Sequence, residues 1–227
     1  MPMWKWIKFL LDPFHREIRR RISTFAKAVP GDSLLLDAGA GEGQYHEFFR
    51  HCRLIGLDAT IGDENWDYSA LDIVGDLHRI PLRDASMDGI LSVVTIEHLH
   101  SPWLAMSEMA RVTRPGGRCF FVFPFLWEAH QQPNDFFRFT EFGFRKLAQD
   151  AGFQVESLEA MGGLFRVLHY RTASLLKSAV QRPLLFFLLL PVLPLLISFL
   201  LLSPLVDRIW KLCEHTLGYT AILIRER

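Results

Sequence analysis

The chain has 227 residues and equal numbers of basic and acidic side chains, 25 Lys+Arg against 25 Asp+Glu. That length suits one main domain with an extension, large enough to bury a core without disulfide or metal staples. The balanced charge leaves no basic field to gather phosphates, so no nucleic acid is expected as a partner, and Cys52, Cys119 and Cys213, scattered without C-x-x-C spacing, suggest neither a disulfide framework nor a zinc site.

Residues 1–29 read as an amphipathic, basic N-terminal region. Trp4, Trp6, Ile7, Phe9, Leu10 and Leu11 mix with Lys5 and Lys8, and Arg16, Arg19, Arg20 and Arg21 follow Pro13. Charges inside the apolar stretch, without a small-residue cleavage site, argue against a signal peptide. Two readings stay open: a helix lying in a membrane interface on aromatic and basic anchors, or a helix packed on the domain.

From Ser33 short apolar runs bounded by turn residues follow one another: "SLLLDAGAGEGQ", "CRLIGLD", "ALDIVGD", "GILSVVTIEH" and "RCFFVFPF". They read as buried parallel strands. Between the last two, "SPWLAMSEMARVTRPGG" reads as a helix capped by Ser101, with Pro102 in its first turn and Pro-Gly-Gly ending it. "ATIGDENWDYSA" is too short and polar for a regular crossover helix. "TEFGFRKLAQDAGF" predicts a helix closed by Gly152, with Thr140 as its cap. "FQVESLEAMGG" predicts a sixth strand and "GYTAILIRER" a last one.

Between those two strands, no charged side chain occurs from Pro183 to Val206, and the polar ones are Ser198 and Ser203. Some 24 residues at about 1.5 Å each could span a bilayer, but Pro191 and Pro194 near the middle break a straight helix. If the strands on either side share a sheet, a single crossing is excluded and a re-entrant or interfacial hairpin results, with both flanks on the cytoplasmic side. Arg171, Lys177 and Arg182 before it and Arg208, Lys211 and Arg225 after it agree, since neither flank looks translocated. An oligomer interface is the other way to cover so much leucine.

Gly39, Gly41 and Gly43 fall directly after the first strand, where absent side chains let a backbone loop approach a nucleotide-like ligand. The dinucleotide fingerprint would need glycine where Gln44 stands. Asp37-x-Gly39-x-Gly41-x-Gly43 instead resembles the first motif of class I S-adenosylmethionine-dependent methyltransferases. Residues 75–102 and "RVTRPGG" resemble the type 11 pattern of that class, with Asp88 opening the fourth strand and Glu97-His98 closing it. The resemblance covers residues 30–155.

It implies an α/β, Rossmann-like, seven-stranded methyltransferase sheet over residues 30–170, with a hydrophobic, membrane-associated hairpin inserted at 171–212 before the terminal strand at 213–227. It also implies S-adenosylmethionine as cofactor, held by Asp37, Gly39, Gly41, Gly43, Asp58, Asp76 and Leu77, with Asp58 on the ribose and Asp76-Leu77 at the adenine. The segment "PFLWEAHQQPNDFFRFTEFGF" resembles one in a subgroup associated with sugar, polysaccharide or lipid modification and should roof the acceptor site. Phe125, Trp127, Phe136, Phe137 and Phe139 would supply flat walls. His130, Arg138 and His98 are the catalytic candidates, since an imidazole suits proton removal from an acceptor hydroxyl. Glu97-His98 has an equal reading as a structural brace of the cofactor loop, and Asp135 as an ion-pair partner of Arg138. No metal is expected, because some quinone O-methyltransferases carry E-x-x-E-H here and Val94 replaces the first acid. The expected enzyme transfers a methyl group to a membrane lipid, lipid-linked sugar, isoprenoid or other small-molecule acceptor at a membrane surface. A non-catalytic, membrane-bound binding subunit of the same fold is the alternative.

Overall fold

The computed structural model describes residues 12–62 and 65–227. The Trp-rich stretch from Trp4 to Leu11 lies outside the described residues. The chain divides into two compact units: a sheet unit, Arg19–Glu159 with Gly218–Arg227, and a helical unit, Ala160–Leu217 with the chain up to Ile18.

Seven strands form one sheet: β1 (Leu34–Ala38), β2 (Arg53–Asp58), β3 (Ile73–Val74), β4 (Gly89–Val93), β5 (Arg118–Pro124), β6 (Phe153–Ala160) and β7 (Gly218–Arg225), in the order β3-β2-β1-β4-β5-β7-β6. β1 to β5 are parallel; β7 runs antiparallel to β5. Every residue of β4 is buried, and so is all of β5 after Arg118, which is why these strands read as unbroken apolar runs. β6, at the sheet edge, alternates instead. Phe121, Phe123, Phe144 and Phe153 fill the core beside β5, with Phe123 and Phe144 stacked at 4.0 Å.

Helix α1 (Pro13–Lys27) buries Phe14, Ile18, Ile22, Phe25 and Ala26, a stripe at helical spacing. Arg21 reaches Glu159 and Thr220, and Arg19 pairs with Glu47. Helix α2 (Pro102–Val112) starts with Pro102 in its first turn, but the expected Ser101 cap does not form; the Ser101 hydroxyl lies 2.9 Å from His100 Nδ1 instead. Helix α3 (Glu141–Asp150) is capped as expected, Thr140 Oγ1 accepting from Gly143 N at 3.1 Å.

The glycine loop leads into a short 3-10 turn, His46–Phe49. Gly39, Gly41 and Gly43 all have positive φ, and residues alternating into the left-handed region cannot propagate a right-handed helix.

In the helical unit, α4 (Leu164–Val180) is followed by α5 (Pro183–Leu189), a 3-10 turn at Leu190–Val192, and α6 (Leu193–Ile209). Pro191 falls in the turn. Pro183 and Pro194 fall in first turns, where a missing N–H is tolerated, and Pro204 lies inside α6. The leucine run therefore does not fold back on itself at its middle. The hairpin partner of α6 is α4, which passes through position 171 where the sequence places the start of the insertion. The two run antiparallel: Asp207 meets the start of α4, and Ser203 meets His169 one turn further on.

Candidate active site

The expected cofactor residues gather at the carboxyl ends of β1, β2 and β3, where ligands bind in open parallel sheets. Asp37 is buried in β1, and its Oδ2 lies 3.2 Å from His46 Nε2. Burial pushes the Asp37 carboxyl up against the opposing pull of His46, and the hydrogen bond to Asp37 raises His46 in turn. Gly39 has φ +83°, and a Cβ there would lie 2.2 Å from the Thr95 side chain; one on Gly41 would meet the Trp66 ring at 3.1 Å. The loop thus admits glycine alone at position 39 on two counts, conformation and space.

Asp58 ends β2 and braces the same loop. Its Oδ2 accepts from Gly41 N at 3.0 Å and its Oδ1 from Thr60 N at 2.7 Å. A carboxylate accepts about four hydrogen bonds, so lone pairs remain for two ribose hydroxyls. Asp76 is exposed and held by the backbone N–H and ring of His78, at 2.9 and 2.6 Å; Leu77 is buried. The glycine cradle and the spare acceptors of Asp58 fit S-adenosylmethionine. His46, Trp66 and Thr95 carried no signal in the sequence, since each reaches its partner through the sheet order or a left-handed loop; His78 meets Asp76 two residues away.

The acceptor-side residues form a second group. β4 leaves the sheet through Val94, at φ +55°, an unusual conformation for a β-branched residue. The 3-10 turn Ile96–His98 follows, with Glu97 fully buried. The loop after β5 is laid over it: Phe136 N and Phe137 N donate to the Glu97 carbonyl at 2.9 and 3.2 Å, and His98 Nδ1 lies 2.6 Å from the Asn134 carbonyl. Arg138 clamps that loop, donating to both oxygens of Asp135 at 2.6 and 2.7 Å and to the carbonyls of Phe137 and Glu128. Through these bonds Arg138 holds the Asp135 carboxyl down at about 2. Its donors serve the loop, so Arg138 acts as a brace. His130 N donates to Asp135 Oδ2 at 2.9 Å, and the His130 ring stands edge-on to His98 at 4.6 Å. Of the predicted walls, the half-buried Phe139 packs against Phe123, Phe137 and Phe144, Trp127 lies 5.9 Å from His130, and Phe136 is exposed.

This sheet order, with an antiparallel strand between the fifth and sixth, and this loop define a class I methyltransferase fold. Residues 36–121 match the methyltransferase domain family, and the chain carries a class I, S-adenosylmethionine-dependent methyltransferase domain, with S-adenosylmethionine as its cofactor. It is 29% identical over 121 residues to a tRNA (carboxymethyluridine(34)-5-O)-methyltransferase of Arabidopsis thaliana, a match covering 49% of this chain and 28% of the relative. It is 33% identical over 112 residues to a malonyl-[acyl-carrier protein] O-methyltransferase of Serratia marcescens, covering 47% and 44%. The chain thus spans less than half the length of either relative. Among solved structures, Burkholderia thailandensis 1,6-didemethyltoxoflavin-N1-methyltransferase, with bound 1,6-didemethyltoxoflavin and S-adenosylhomocysteine, superposes with a TM-score of 0.57 at 14% identity, covering 92% of this chain and 78% of its own. Since one relative is named for tRNA, balanced charge does not by itself exclude nucleic acid.

Proposed function

We propose that this chain transfers the methyl group of S-adenosylmethionine to an acceptor held in or at a membrane, of the lipid, lipid-linked sugar or isoprenoid class, from the cytoplasmic side. The observation that carries the reading is the polarity of the helical unit, which is reversed relative to a water-soluble helix pair. Its seam is polar. Asp207, buried, accepts from Gly163 N at 3.0 Å and Arg166 N at 3.0 Å, and His169 Nδ1 lies 2.9 Å from Ser203 Oγ. Its outside is apolar: Leu184, Phe187, Leu188, Leu195, Leu201, Leu202, Leu205 and Ile209 are all more than half exposed.

Pro183–Ile209 has a mean hydropathy of 2.8 over its most apolar window, none of which is buried. Polar groups facing a helix partner and leucine facing outward is the arrangement that lipid favours. α4 cannot itself cross a bilayer, because Arg166, His169, Arg171 and Lys177 punctuate it. β6 and β7 share one sheet, so the segment between them must return to the side it left. A hairpin lying in the interfacial layer meets both conditions, and the exposed Arg171, Lys177, Arg182, Arg208 and Lys211 suit anionic headgroups.

Within the sheet unit, catalysis of this type rests chiefly on holding acceptor and sulfonium methyl in line. Asp58 and the glycine loop hold the donor. His98 and His130 stand where the acceptor loop closes over the end of β4.

The test is to incubate the full chain with methyl-labelled S-adenosylmethionine in three arms: vesicles of total membrane lipid, bulk tRNA, and acyl carrier protein. Label in the organic phase, abolished by Asp58→Ala, is the expected outcome. Label in tRNA or protein with none in lipid overturns the acceptor class. Cofactor binding without label in any arm favours the non-catalytic subunit.

A further inference from the structure

Glu97, His98 and His130 carry a feature that the methyl-transfer reading does not use. Both carboxylate oxygens of the fully buried Glu97, with His98 Nε2 and His130 Nε2, are buried and lack a hydrogen-bond partner. An unpaired buried carboxylate is costly, and one gathered with two imidazole nitrogens calls for something between them.

The tautomers sharpen this. His98 Nδ1 faces the Asn134 carbonyl at 2.6 Å and His130 Nδ1 faces the Glu128 carbonyl at 3.2 Å. A carbonyl can only accept, so His98 Nδ1 is the atom that donates there; His130 Nδ1 sits between the Glu128 carbonyl and the Arg138 guanidinium, 3.5 Å away, and the Nε2 of each ring is the atom left for a ligand. The two Nε2 atoms lie 3.8 and 3.6 Å from Glu97 Oε1. That exceeds a hydrogen bond of about 2.7–3.2 Å. It is close to the roughly 3.3–3.5 Å edge of a tetrahedron built on metal–nitrogen and metal–oxygen bonds of about 2.0–2.2 Å. The three ligand atoms all lie within 4.8 Å of one another.

We propose that Glu97, His98 and His130 together bind one divalent first-row cation of the zinc type, leaving a coordination position open to an oxygen ligand. Two imidazoles and a carboxylate form a recognised donor set for such ions. A ring Nδ1 set against a backbone carbonyl, as in His98 at 2.6 Å and His130 at 3.2 Å, is the outer support that orients metal-bound histidines. The loop after β5 supplies His130 as the third donor, and Asp135, Arg138 and the Glu97 carbonyl fix that loop over Glu97, so the donors are held in place before an ion arrives. With the ion bound, His98 and His130 are ligands, and neither serves as a free proton acceptor. The site stands on its own residues and does not depend on which acceptor the enzyme uses.

The rival occupant is a proton on His130. Burial lowers the affinity of that ring for a proton, but Glu97, the Glu128 carbonyl and Asp135 outweigh it and raise the pKa. Metal titration separates the two. The full chain, stripped with a chelator and dialysed, is titrated with Zn²⁺, Mn²⁺ and Co²⁺ by calorimetry and, for Co²⁺, by visible ligand-field absorption. One saturable equivalent is expected, with affinity falling by at least about 100-fold in Glu97→Gln and His130→Ala, beyond the roughly 10- to 100-fold that loss of a supporting residue produces. His51→Ala, outside the cluster, should bind as the wild type does. No saturable binding, or equal binding in the Glu97→Gln and His130→Ala variants, overturns the proposal. Should those variants fail to fold, X-ray absorption of the Zn²⁺-loaded wild type decides: two imidazole nitrogens on the ion are required, and fewer overturn it.

Discussion

Leucine and phenylalanine do opposite jobs in the two units. In the sheet unit Phe121, Phe123, Leu36 and Leu91 are fully buried between the strands and their covering helices, while in the helical unit leucines of equal hydrophobicity along Pro183–Ile209 stay outside and Ser203, Asp207 and His169 turn inward. Burial of apolar area is the main driving force in water. A surface that forgoes it over so many residues is built for another apolar phase. The comparison shows that composition alone does not say which way a segment faces; the position of its few polar residues does.

The largest effect should come from setting one unit against the other. Phe121→Ala should cost about 3–5 kcal/mol of unfolding free energy, whereas Leu201→Ser with Leu205→Ser should cost within about 0.5 kcal/mol per site and yet lower co-flotation with anionic vesicles. Denaturant unfolding and flotation read both. A large stability loss from the α6 changes with unaltered flotation would show that these leucines are core after all.

A Cβ at the glycine loop should come next. Gly39→Ala meets Thr95 and a positive φ, for which left-handed backbone alone costs about 1–2 kcal/mol. Cofactor affinity should fall with stability, and Thr95→Ala should restore part of it in a double-mutant cycle. Strict additivity would disprove the contact.

In the helical seam, Asp207→Ala leaves the N–H groups of Gly163 and Arg166 without their acceptor. Hydrogen bonds to a buried charge are worth about 1.5–3 kcal/mol each. Proteolysis between α4 and α6 should accelerate, with the sheet unit spared. Equal sensitivity in both units would mean that they do not unfold separately.

The Asp135–Arg138 clamp gives a pH signature. Its folded carboxyl sits at about 2, below an unfolded value of roughly 3.9. The stabilisation is therefore fully present above the unfolded value and lost as pH falls through the folded one. Between about pH 4 and pH 2 the wild type should lose stability more steeply than Asp135→Asn, as followed by tryptophan fluorescence. Ser101→Ala should change least, below about 0.5 kcal/mol, since Ser101 makes no cap bond; a loss near 1 kcal/mol would mean that the cap forms in solution.

Much of the sheet unit is legible in the sequence because its signals are local. Unbroken apolar runs mark strands buried on both faces, Thr140 marks the start of α3, and glycines spaced by two mark the cofactor loop, each depending on the residue's own conformation or immediate neighbours. Asp37, Asp58 and Asp76 follow from these because they lie at or beside the carboxyl ends of the strands. What only the tertiary structure decided depends on distance across the fold. That Asp37 meets His46, that Arg138 holds the loop over Glu97, and that Glu97, His98 and His130 leave four buried atoms without partners all follow from strand order and a loop path that no spacing encodes. The helical unit follows the same rule: the prolines announce breaks, but the pairing of α6 with α4 is set by Asp207 and Ser203 finding the start of α4 and His169, 44 and 34 positions away in the chain.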